Sequence, residues 1–222
     1  MRYMIHSAPS RQWYVDRYLI PSMLEQGISR DDIVVWCDTD KKGNLQSFME
    51  SAKWCGENPT DGTWHLQDDI IISRKFAHTT KEYNYGIVAG FCVSEWGPDW
   101  TKTGNQPIKE LWYSFPCIRI PDSIAGECAK WFFTDVQFRR EYKYTSRIQS
   151  KKHDDDFFLF FLEEKYPKHK EIINLKPNIV DHIDYLIGGT LINSARKKTM
   201  YRACYWEDED LVEELAKKLN RR

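Results

Sequence analysis

Two adjacent carboxylates, Asp68 and Asp69, sit in the stretch WHLQDDIII, between a short apolar approach and a second apolar run. Like charges side by side at the end of a strand destabilise a fold unless solvent or a cation offsets them. A divalent cation with oxygen ligands is the usual offset where phosphate is handled. A solvated turn between two strands is the better account of an Asp-Asp pair standing alone, so the reading depends on what else the chain carries. Other chemistry-bearing residues are His182 in KPNIVDHIDYLIGG, the acids Asp154, Asp155 and Asp156 in HDDDFFLFFLEE, and His6, Ser7 and Asp38 at the ends of two early apolar runs. Each also has an ordinary structural reading. A lone histidine can be a hydrogen-bonded core residue, acids at a helix start cap it and offset its dipole, and Asp38 with Asp40 suits an Asx turn before Lys41, Lys42 and Gly43.

WHLQDDIII resembles the metal-binding aspartate motif of GT-A nucleotide-sugar glycosyltransferases, and PNIVDHI resembles a late Pro-x-x-Val-x-His-Ile segment of several GT-A families. The resemblance implies transfer of a sugar from a nucleoside diphosphate sugar, a UDP-sugar being favoured, to a hydroxyl acceptor. Mn2+ or Mg2+ would stabilise the departing diphosphate. It puts Asp69 on the metal with His182 completing the site, and turns Gln67 and Asp68 towards the donor ribose or the waters around the ion. Gln67 stands where many members carry an acid, which leaves fewer protein charges on the ion. The resemblance also places a catalytic base in the later acid run, Asp155 first and Asp154 second, with Asp156 structural, and it sets His6, Ser7 and Asp38 beside the nucleotide. Attack assisted by Asp155 gives inversion; without a carboxylate near the acceptor a retaining route follows instead.

Charge placement speaks to the acceptor. Residues 139–152, RREYKYTSRIQSKK, hold six basic side chains and one acid with tyrosines interleaved, and they lead directly into the acid run. Arg139, Arg140, Lys143, Tyr144 and Arg147 suit a nucleic-acid backbone and an unstacked base. Arg196 and Lys198 lie in a second basic cluster after His182 and suit either the same backbone or the donor diphosphate. A solvated helix face explains the first segment as well. The acceptor expected is a hydroxymethylated base in DNA, of the kind that phage-type DNA-modifying glycosyltransferases use, with a glycan or protein acceptor as the alternative. Two other classes stay open: a metal-dependent nucleotidyltransferase, which would release pyrophosphate from a triphosphate, and a nucleic-acid-binding module without catalysis.

The elements that must position these residues follow from periodicity. Arg2 to Ser7 reads as a strand, Ser10 to Gln26 as a helix that Pro21 kinks or restarts, and Ile33 to Cys37 as a strand buried on both faces. Leu45, Phe48, Met49 and Ala52 form a helix face before a third strand that ends at the acid pair. This βαβαβ order predicts an α/β fold of the GT-A, Rossmann-like kind: a mixed, mainly parallel sheet flanked by helices, with its ligand beyond the carboxyl ends of the strands. Further on, Ser73 to Tyr83 reads as a helix, Gly86 to Val93 and Leu111 to Ile120 as strands, and residues 94–107 as a loop. Helices are expected from Asp122 or Ser123 to about Asp135, from Asp155 or Asp156 with Phe158, Phe161 and Leu162 on its face, and over 207–222, where acids precede bases.

At 222 residues a single domain is expected, with a nucleotide-sugar half over 1–93 and an acceptor half over 94–206. No apolar run approaches the ~20 residues of a membrane helix, and MRYMIHSAPS reads as a first strand and not as a secretory signal. Six cysteines are scattered without metal or disulfide spacing, so they are expected to be reduced and the chain cytoplasmic. A net charge of −1 excludes a molecule-wide field for polyanions, so any such site must be local.

Overall fold

The computed structural model describes residues 1–91, 104–107, 116–134, 154–166 and 171–182, together with 211, 214, 215 and 217. Its first half is the expected alternation: strand β1 (Arg2–Ser7), a helical segment, strand β2 (Ile33–Cys37), helix α3 (Asn44–Glu57) and strand β3 (Thr63–Gln67). The helical segment is built of a 3-10 turn (Pro9–Arg11), α1 (Gln12–Tyr14), a π-helical stretch (Val15–Leu19) and α2 (Ile20–Glu25). Pro21 has no N–H to give, and its ring clashes with the carbonyl four residues back. Of the kink or restart expected there, the structure shows a restart: the backbone just before takes π geometry and α2 begins at Ile20 with Pro21 in its first turn.

The remaining elements are β4 (Ile70–Ile72), α4 (Phe76–Glu82), β5 (Val88–Ala89), β6 (Gly104–Pro107), β7 (Cys117–Ile120), α5 (Asp122–Thr134), α6 (Asp154–Lys165), β8 (Glu171–Asn174) and β9 (Val180–His182). Seven strands form one sheet in the order β2-β1-β3-β7-β5-β8-β6, while β4 and β9 pair separately and antiparallel. Five of the seven point the same way. β7 runs against both its neighbours, and β6 runs against β8, so the sheet is mixed.

β8, β9 and the separate β4–β9 pair are absent from the sequence reading, and both edges of the main sheet depart from it. Residues 104–107, read as part of a loop, form an edge strand. β2, read as buried on both faces, is the other edge among the described residues, and Val34, Val35, Trp36 and Cys37 are only half-buried. A continuous apolar run carries no information about how many neighbours the strand has.

Helices cover both faces. α3, α5 and α6 enclose one core with Phe48, Met49, Ile118, Ile124, Phe157 and Phe161, while the helical segment after β1 and the β4–β9 pair enclose the other with Tyr3, Ile5, Met23, Trp64, Leu66 and Phe76. α3 and α5 touch backbone to backbone: a Cβ added to Gly56 would lie 2.7 Å from Gly126 Cα. The amino ends of β1 and β3 are locked by a polar cluster. Arg2, paired with Asp122, also donates to Thr63 Oγ1 and to the Asn58 carbonyl, each at 2.8 Å, and its guanidinium lies 4.7 Å from the Trp54 ring centroid. Among the described residues no helix is long and apolar enough to cross a membrane, and Cys37, Cys55, Cys117 and Cys128 are free thiols.

Candidate functional site

The chain leaves β1 over one face of the sheet to reach β2, then returns over the other face through α3 to β3 on the far side of β1. The carboxyl ends of β1 and β3 therefore bound a topological switch point, the crevice where open α/β sheets bind ligands. Ser7 and Ala8 lie on one side of it, Gln67, Asp68 and Asp69 on the other. The register His6↔Gln67 sets them level.

Asp68 is fully buried. Its Oδ2 accepts the Ala8 N–H at 2.8 Å, which ties the two strand ends together, and its Oδ1 is 2.8 Å from Arg11 Nη2 without the alignment of a hydrogen bond. Burial pushes its carboxyl up to about 6. Arg11 and the Ala8 hydrogen bond oppose that rise, and the neighbouring Asp69 adds to it. Asp69 accepts from Arg11 Nη1 through Oδ2 at 3.1 Å. Its Oδ1 is buried, has no hydrogen-bond partner among the described residues, and lies 3.7 Å from His182 Nδ1.

Local pairing explains how residues so distant in sequence meet. β4 begins at Ile70, directly after the acids, and its first residue is the register partner of His182 on β9. The imidazole is buried and packs nearly perpendicular to the Phe91 ring, with the centroids 5.3 Å apart. A separation of 3.7 Å is too long for a hydrogen bond. Two adjacent ligands of one octahedral cation with bonds of roughly 2.1 Å lie roughly 3.0 Å apart, so Asp69 Oδ1 and His182 Nδ1 would have to close on each other to share an ion. Among the described residues no group of three or more His, Cys, Asp or Glu gathers to hold a metal. A cation here would have two protein ligands, and phosphate oxygens and water would complete its shell, the usual arrangement for Mg2+ on a nucleotide.

The other expected donor residues divide. His6 gives its Nε2 to a 3.0 Å hydrogen bond with His65 Nδ1, and the two rings stack. Burial holds His6 down to about 4 and His65 well below the ordinary histidine value, so both are neutral and share one proton between the facing nitrogens. Ser7 is buried, with its hydroxyl on the Ala8 carbonyl at 3.2 Å. Gln67 is half-buried, at the mouth beside His6. Asp38 is committed elsewhere: its two oxygens accept the Lys42 and Gly43 N–H groups, each at 2.9 Å. It closes the loop that leads into α3, where Gly43 adopts a φ of 91°, and so contributes structure and not a free carboxylate, through bonds longer in range than those of an Asx turn.

α6 begins at Asp154, but the side chains of Asp154 and Asp155 lie outside the described residues. Arg139, Arg140, Lys143, Tyr144, Arg147, Arg196 and Lys198 do so altogether. Three residues escaped sequence reasoning. Arg11 lies four positions beyond β1 with no spacing signal linking it to the acids, and it supplies part of the offset expected from solvent or a cation. His65 is hidden inside an apolar strand. Asp181, beside His182, is buried, which pushes its carboxyl up to about 7 against the pull of the His182 N–H. A separate cavity of about 450 Å3 lies against β4, lined among others by Tyr14, Arg17, Tyr18, Ile71 and Arg74; it excludes Asp68, Asp69 and His182.

Fold and site together define an α/β protein with a buried acidic pair, an arginine and a histidine at the switch point of a mixed sheet. Neither a family model nor a curated protein matches the chain.

Proposed function

We propose that this chain is a GT-A-type, metal-dependent glycosyltransferase that moves a sugar from a nucleoside diphosphate sugar to a hydroxyl acceptor. The observation that carries the reading is the approach of Asp69 Oδ1 to His182 Nδ1, 3.7 Å, at the carboxyl ends of the parallel strands. When bound, Mn2+ or Mg2+ would stabilise the charge that develops on the departing diphosphate. Asp69 and His182 would hold the ion, while Asp68, fixed by Ala8 and Arg11, would keep the two strand ends at the spacing the site needs. His6, Ser7 and Gln67 would face the nucleoside, and Asp155 would take the acceptor proton from α6. The acceptor side of the proposal rests on the basic segment 139–152 and names a hydroxymethylated base in DNA.

The test is hydrolysis or transfer from a panel of UDP-sugars, with and without Mn2+, in the wild type and Asp69→Asn. Metal-dependent release of UDP that drops at least about 100-fold in the variant is expected. Release of pyrophosphate from nucleoside triphosphates, with no cleavage of nucleotide sugars, would replace this reading with nucleotidyl transfer.

A further inference from the structure

Asp68 and Asp69 already share a cation. Arg11 reaches Asp68 Oδ1 with Nη2 at 2.8 Å and Asp69 Oδ2 with Nη1 at 3.1 Å, so one guanidinium spans two carboxylates and does not pair in a fork with either. One net negative charge remains, and Asp69 Oδ1, on the side away from Arg11, faces His182. A bare divalent cation entering there would meet a fixed positive charge on the other oxygen of the same carboxylate. In a site this buried, that repulsion offsets much of what the remaining negative charge contributes.

A diphosphate changes the balance. Its oxygens ligate the cation and also accept hydrogen bonds from guanidinium donors that the acids leave unused. These are the remaining N–H bonds of Nη1 and Nη2, on a side chain that stays 15% exposed. We propose that Arg11 makes this site selective for a cation–nucleoside diphosphate complex over the free cation. The proposal rests on the nucleotide-sugar reading and adds to it a specificity residue that the acid motif does not contain. Binding of the two ligands is then coupled, and by linkage each tightens the other by the same factor.

The experiment titrates Mn2+ into the protein, following the free-ion EPR signal, with and without UDP, for the wild type, Arg11→Gln and Arg11→Lys. In the wild type UDP should tighten Mn2+ about 100-fold, within the usual range of coupling between sites. Arg11→Gln should bind Mn2+ alone at least about tenfold more tightly than the wild type, with the UDP effect falling below about tenfold. Arg11→Lys, which keeps the charge but reaches only one acid, should move about threefold in the same direction, and it carries the test if the glutamine variant does not fold. Wild type that binds Mn2+ with UDP, beside variants that bind bare Mn2+ no more tightly, overturns the role of Arg11 alone. Wild type that binds no Mn2+ even with UDP overturns the nucleotide-sugar reading, and this inference with it.

Discussion

Asp122→Ala tests the frame that holds the site. Asp122 is 1% exposed, and its carboxylate accepts from Arg2, from Thr60 N at 2.6 Å and Oγ1 at 2.9 Å, and from Thr63 Oγ1 at 2.7 Å. Its removal leaves the Arg2 side chain, itself 9% exposed, charged and without a counter-ion between β1, β3 and α5. Breaking a buried ion pair from one side typically costs about 3–5 kcal/mol, mostly as the penalty of the stranded charge. At this chain length each kcal/mol lowers Tm by about 2–4 °C, so a fall of roughly 6–20 °C is expected. Urea unfolding of the wild type, Asp122→Ala, Arg2→Met and the double variant measures it. The double variant should recover a large part of the loss, because the stranded charge is gone. The cluster lies at the amino ends of the strands, away from the acids, so Mn2+–UDP binding at low temperature should be unchanged. A loss below about 1 kcal/mol, or a double variant whose loss equals the sum of the singles, would refute the argument.

Two further outcomes follow from packing and burial. Gly56→Ala drives a methyl to 2.7 Å from Gly126 Cα, which is backbone and cannot turn aside, so the α3–α5 contact must open. A loss of about 1–3 kcal/mol is expected in chemical denaturation, and a neutral result would show that the helices are not in close contact. Asp181 has a folded pKa raised from 3.8 to about 7, so between those values the folded chain holds a proton that the unfolded chain has lost. Its contribution is full below about pH 4 and is lost as pH rises through about 7, by at most about 4 kcal/mol. Asp181→Asn should therefore gain stability over the wild type at pH 8 and gain nothing at pH 3.5, measured as the difference in Tm. An equal difference at both pH values would contradict the raised pKa.

Local chemistry made much of this molecule readable from its sequence. The βαβαβ order, the helix face of Leu45, Phe48, Met49 and Ala52, and the strand that delivers Asp68 and Asp69 follow from the 3.6-residue period of α3 and from short apolar runs on either side of it. The aromatic face of α6 was equally plain, with Phe158, Phe161 and Leu162 all buried. The short strands were not. β5 falls inside the longer strand read over Gly86 to Val93, but β6, β8 and β9 exist because neighbours pair with them, and four polar or turn-forming residues such as Gly104 to Pro107 advertise no strand.

The site divides along the same line. Asp69 and His182 could be paired only through resemblance, because the β4–β9 register that joins them is a long-range fact. Arg11 could not be found at all, since a basic residue after a first strand looks like any solvated one until its guanidinium is seen between two buried carboxylates. Asp38 shows the opposite case. A turn-forming role was visible in Asp-Thr-Asp-Lys-Lys-Gly, although Asp38 accepts from the backbone four and five residues on and not two residues on as in an Asx turn.

The central claim is that Asp69 and His182 hold one divalent cation, and electron spin echo modulation of Mn2+ bound with UDP addresses it directly. An imidazole ligand couples its nitrogen to the manganese spin. The wild type should show 14N modulation from a single histidine, which disappears in His182→Gln, while Asp69→Asn should weaken Mn2+ binding by at least about tenfold. Bound Mn2+ without 14N modulation, or modulation that survives in His182→Gln, would contradict the site described for this chain.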